Sequence, residues 1–164
     1  MGALFDALDP FPTPTRDVAP SAETFIVEWA REAPRDAPLR IVVHAPAAAA
    51  GHPDAPYVSE AIARHFNAKA AHAQRELGGL FRMGRTYLAI GLLVLALSFG
   101  ARQVIASMAK DAPLGRFISE GLILLGWVAN WRPLEVFLYD WRPLKAQQAL
   151  YDRLAQAPVM IERN

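Results

Sequence analysis

The chain has 164 residues, 53% of them hydrophobic and 20% charged, with a net charge of +1 and no cysteine. That length accommodates one small domain and a membrane-embedded portion, and the mean hydropathy of +0.14 is high for a soluble protein and low for a chain lying wholly in lipid. The near-neutral balance argues against an electrostatic nucleic-acid binder, which would show a concentrated basic surface, and the absence of cysteine excludes disulfides, thiol catalysis and zinc–thiolate centres.

Residues 1–22 carry Pro10, Pro12, Pro14 and Pro20. Proline fixes φ and removes an amide donor, so this stretch reads as an extended proline-rich arm. It has no base before Arg16, unlike a secretory signal, and it lacks the Ser or Thr of a myristoylation motif.

Residues 24–30 and 39–45 are rich in β-branched and aromatic side chains and read as strands, with a Pro-containing loop between them. A third strand is expected at 159–163, after Pro158, completing a three-stranded sheet because two strands alone are marginal in water. That pairing puts both termini on one side of a membrane.

From Tyr57 to residue 84 the pattern Val58, Ile62, Phe66, Ala70, Ala73, Leu77, Leu80 keeps to one face at helical spacing. Glu60, Arg64, Lys69, Arg75 and Glu76 take the other face. Gly78 and Gly79 weaken this helix locally, by about 1 kcal/mol each against alanine.

Two apolar segments follow. Thr86–Ala101 carries no charge and continues past Arg102 to about Met108; Phe117–Trp131 carries only Glu120. About 20 apolar residues at about 1.5 Å each cross a hydrocarbon core of about 30 Å, so residues 85–140 are expected to form a transmembrane helical hairpin. Folded about Asp111, such a hairpin brings Arg102 and Glu120 to one depth as an intramembrane ion pair, and Glu135 near Arg85. Ala96 and Gly100 have the small-xxx-small spacing that allows close helix approach.

The tandem Trp131-Arg-Pro-Leu134 and Trp141-Arg-Pro-Leu144 flanks Glu135-Val-Phe-Leu-Tyr-Asp140. Trp and Tyr prefer a membrane–water interface, so Trp127, Trp131, Arg132, Tyr139 and Trp141 are assigned to partner or lipid contact. Residues 141–164 then form an amphipathic helix and the strand that joins the cytoplasmic part, residues 23–84. Bases gather before the first apolar segment (Lys69, Arg75, Arg82, Arg85) and after the second (Arg132, Arg142, Lys145, Arg153), which puts both termini in the cytoplasm.

His65 and His72 share a helix face with Glu76, but lack the compact spacing of a metal motif. Nucleotide-binding, hydrolase, metalloprotease and haem-attachment motifs are all absent. No catalytic residue, cofactor or metal ligand is assigned, and the chain is expected not to be an enzyme.

The run from Glu120 through Gly126-Trp-Val-Ala-Asn-Trp-Arg-Pro-Leu-Glu-Val-Phe-Leu-Tyr-Asp-Trp141 resembles an uncharacterised family of small proteobacterial two-span membrane proteins. Their run reads G-W-x-A-x-W-R-P-L-E-x-F-L-Y-D-W and is followed by a basic helix; the similarity covers roughly residues 57–158. The resemblance implies two spans in a bacterial inner membrane and no particular activity.

The expectation is therefore an α+β membrane protein: a transmembrane two-helix hairpin with a small cytoplasmic domain of a three-stranded sheet and two helices. Its expected role is that of a non-catalytic accessory, assembly or scaffold subunit of a bacterial inner-membrane protein complex, in contact with membrane lipids. The alternative is a self-associating homo-oligomer acting as a small channel or transporter.

Overall fold

The computed structural model describes residues 18–34, 36–45, 55–108 and 112–163. In chain order these form α1 (Pro20–Glu32), β1 (Ile41–Ala45), α2 (Ala55–Met108), α3 (Pro113–Glu135), a π-helical turn (Val136–Asp140), α4 (Trp141–Ala155) and β2 (Val159–Arg163). Two compact units result: unit 1 takes Met1–Gln74 with Ala146–Asn164, and unit 2 takes Arg75–Lys145. The expected proline-rich arm lies outside the described residues up to position 17.

Unit 1 is built as a water-surrounded protein is built. Val58, Ala61, Ile62, Phe66, Ala70 and Ala73 form the stripe that α2 buries, and Val27 and Ala30 of α1 and Tyr151 and Leu154 of α4 close over it. Phe66 is fully buried and stacks on Tyr151 with ring centroids 6.2 Å apart. Burying a phenylalanine contributes about 1.5–3 kcal/mol, so this ring anchors the core. β1 and β2 pair in parallel, Ile41 against Val159 through Ala45 against Arg163. The inward side chains Ile41, Val43, Val159 and Ile161 pack on the core, as a period of two requires.

Two expectations need correction here. Among the described residues the sheet has two strands, β1 and β2, and not three; with helix dominating those residues, the expected α+β class is replaced by a mainly helical fold with one small strand pair. Residues 24–30, expected as a strand, lie within α1. Pro20 in its first turn supplies the helical φ without wasting a donor, and Val27 and Ala30 face the core at helical spacing. The burial of that face outweighs the β propensity of Thr24-Phe-Ile-Val, since strand propensity is mainly a statement about packing context.

The transmembrane two-helix hairpin is also corrected. Among the described residues one helix, α2, is long and apolar enough to cross a membrane, with a mean hydropathy of 1.9 over its most apolar stretch. Helix α3 has 23 residues, but Arg116, Glu120, Arg132 and Glu135 dilute its apolar run. With one candidate span, counting bases over two flanks loses its premise, and so does the placement of both termini in the cytoplasm.

Unit 2 has a different internal logic. Along the C-terminal part of α2, Gly84, Gly91 and Ser98 recur at seven-residue intervals and are buried. Gly115, Gly126 and Pro133 are the buried residues of α3. Small side chains thus line the seam while Leu92, Leu93, Leu97 and Phe99 of α2, and Phe117, Leu124, Leu125 and Val128 of α3, are exposed.

Candidate functional site

The seam of unit 2 sets the geometry of its aromatic and basic residues. A Cβ on Gly84 would stand 2.7 Å from Val136 Cγ1, one on Gly91 2.9 Å from the Ala129 carbonyl oxygen, and one on Gly126 2.6 Å from Leu95 Cδ1. As α2 advances, its partner positions on α3 recede, so the two helices pack antiparallel. Phe81 stacks on Phe137 at 6.1 Å, which continues the same register. Pro133 explains part of this contact. Lacking an amide hydrogen, it leaves the Ala129 carbonyl without its helical donor, and that carbonyl is the one facing Gly91.

Within the tandem, Trp131 Nε1 donates to Glu135 Oε1 at 3.0 Å, and Arg132 Nη1 donates to Glu135 Oε2 at 3.0 Å. The same Arg132 nitrogen stands 3.2 Å from Asp140 Oδ2, so one guanidinium is held by two carboxylates. The π-helical turn between Pro133 and Pro143 widens the backbone, and Trp141 Nε1 donates to the Phe137 carbonyl at 2.9 Å. Lys145 Nζ lies 5.5 Å from the centre of the Trp141 ring, within cation–π range.

Of the residues expected to make contact, Trp131 and Arg132 are brought together through Glu135, and Trp141 is half-buried. Trp127 and Trp131, one turn apart, are each 65% exposed. Tyr139 is exposed as well. Among the described residues no ion pair joins Arg102 to Glu120, and Glu135 is engaged by Arg132 and Trp131 instead of Arg85. Gly100 of the expected small-residue pair meets nothing within 4 Å, so it is Gly84, Gly91 and Gly126 that admit a neighbouring chain.

Unit 1 carries a polar cluster that the sequence reading did not assemble. Glu23 of α1 accepts from His65 Nε2 at 3.1 Å and from Lys69 Nζ at 2.8 Å, both on α2. Burial alone would push the Glu23 carboxyl up; the hydrogen bond and charge of Lys69, and then those of His65, outweigh it and hold the group below its ordinary value. The legible signal was the four-residue spacing of His65 and Lys69, which puts two donors on one helix face. Among the described residues no group of three or more metal-ligating side chains comes together.

An apolar cleft of about 200 Å³ lies between α1 and β1, lined by Phe25, Ile26, Trp29, Leu39, Ile41 and Leu154. Small-molecule sites run to roughly 300–1,000 Å³, so the cleft suits one or two apolar side chains better than a substrate. Phe25 and Trp29 at its rim are exposed and stack at 6.0 Å in a tilted pair. Comparison with known protein families, curated proteins and solved structures returns no match.

Proposed function

We propose that this chain is a non-catalytic accessory, assembly or scaffold subunit of a bacterial inner-membrane protein complex, embedded through the apolar part of α2. The observation that carries the membrane reading is the inverted packing of unit 2. Only 11% of the most apolar stretch of α2 is buried, whereas the core helix of a soluble protein would be mostly buried. Glycine, serine and proline fill the seam while leucine, phenylalanine and tryptophan point outward. In water that arrangement leaves a large apolar surface unsatisfied. In lipid it costs nothing, because helices there associate through small residues and close backbone approach.

The subunit reading is supported by the exposed Trp127, Trp131 and Tyr139 and by the apolar cleft beside Phe25 and Trp29. These are surfaces for another chain or for lipid, and the polar cluster at Glu23 is consumed in joining α1 to α2. Purification of the tagged chain in mild detergent at native expression, followed by mass spectrometry, tests it. A stoichiometric larger membrane complex is expected; a chain that elutes alone contradicts the subunit reading.

A second reading, a homo-oligomer acting as a small channel or transporter, has one observation in its favour. Ala96 is exposed and Gly100 has open space beside its Cα, so this small-residue pair is free to receive a further helix. A detergent-solubilised mass of several protomers would move the assignment there.

A further inference from the structure

One end of unit 2 gathers unpaired positive charge at the level where the chain changes from polar to apolar. The Phe81–Phe137 and Gly84–Val136 contacts fix the register there, and Arg82 and Arg85 lie in the same turns of α2. Arg142 follows Phe137 by five residues, roughly 8 Å along a helix axis, and Lys145 follows one turn later. All four basic side chains are exposed. The nearby carboxylates, Glu135 and Asp140, are both engaged by Arg132. Among the described residues Arg82, Arg85 and Arg142 form no ion pair with a carboxylate. Tyr87, Trp131 and Tyr139 are exposed at the same end, the residue types that settle where hydrocarbon meets headgroups.

Resting on the membrane reading above, we infer that Arg82, Arg85 and Arg142, assisted by Lys145, bind the headgroup phosphates of anionic phospholipids. Charge complementarity decides the occupant. A zwitterionic headgroup presents a choline or ethanolamine cation beside its phosphate, which offsets the attraction, whereas an anionic headgroup does not. The headgroup layer on each face of a bilayer is roughly 5–8 Å thick, and long arginine stems let guanidinium groups placed somewhat above or below it reach the same phosphates. Arginine also matches the phosphate oxygens with two parallel donors. Glu135 and Asp140, by holding Arg132, leave it as a neutralised support and not a lipid ligand.

The full chain reconstituted in vesicles of phosphatidylcholine with phosphatidylglycerol provides the test. In a Trp29→Phe background, the remaining Trp127, Trp131 and Trp141 report from unit 2. Their quenching is compared between brominated phosphatidylglycerol and brominated phosphatidylcholine. The expected result is a preference of about threefold or more for the anionic lipid. The R82Q/R85Q/R142Q variant is expected to fall toward equal binding while keeping its quenching by brominated phosphatidylcholine. Equal quenching by the two lipids in the parent, or a preference that survives in the variant, overturns the inference and leaves the membrane reading standing. Absence of quenching by either lipid overturns both.

Discussion

Asn130 Nδ2 donates to the backbone carbonyl of Gly91 at 3.0 Å and to that of Gly126 at 2.8 Å. One amide thus ties α3 to α2 and also occupies a carbonyl of its own helix. Gly91 permits this because a Cβ there would stand 2.7 Å from Asn130 Oδ1 and 2.9 Å from the Ala129 carbonyl, and a backbone oxygen cannot be moved as a side-chain end can. Gly91→Ala is expected to destabilise unit 2 by about 1–3 kcal/mol, the usual cost of overpacking. Gly78→Ala meets nothing within 4 Å and is expected to be neutral or to gain up to about 1 kcal/mol from helix propensity. Unfolding of the two variants in the same detergent measures the difference; equal stability of the two would contradict the seam.

Phe66 fills the centre of unit 1 between α2 and Tyr151 of α4. Phe66→Ala is expected to cost about 3–5 kcal/mol. Hydrogen exchange of the β1 and β2 amides should accelerate by more than about a hundredfold, since each 1.4 kcal/mol is a factor of ten. Exchange of the Leu92–Phe99 segment is expected to change far less, because its packing lies in unit 2.

The Glu23 cluster predicts how unit 1 responds to acid. Its carboxyl titrates below its ordinary value in the folded chain, so the unfolded chain takes up the proton first as pH falls. The stability it supplies is complete above the unfolded glutamate pKa of about 4.3 and is lost as pH drops through the lower folded value. Glu23→Gln is expected to weaken unit 1 at pH 7 and to flatten that acid-side loss. Thermal unfolding of both forms between pH 3 and pH 7 reads it out; parallel curves would show that Lys69 and His65 contribute nothing through this group.

Much of the framework could be read from residue patterns, and the exceptions have physical causes. The stripe Val58, Ile62, Phe66, Ala70, Ala73 is an amphipathic pattern long enough to dominate local noise, and all five are buried in unit 1. Strand 159–163 was visible from its β-branched residues after Pro158, and it pairs with β1. Residues 24–30 misled because β-branched composition competes with helical periodicity in so short a window, and the burial of Val27 and Ala30 decided the outcome. The small-residue spacing of Ala96 and Gly100 allows close helix approach, but Gly84, Gly91 and Ser98 make the seam. A seven-residue interval of small residues carries little hydrophobic signal, so it is hidden by the leucines around it. Glu23 and His65 lie 42 residues apart, and only the docking of α1 on α2 brings them together.

The most direct test of the account uses the absence of cysteine, which lets a single thiol report without background. Leu93 of unit 2 is 60% exposed, and Gln74 of unit 1 is exposed too, so both would label alike in water. Leu93→Cys and Gln74→Cys are compared in open native membranes with a membrane-impermeant maleimide, whose reaction needs the hydrated thiolate. The account predicts labelling at Leu93→Cys at least about tenfold slower than at Gln74→Cys. Equal labelling rates would place the apolar face of α2 in water and contradict the central claim.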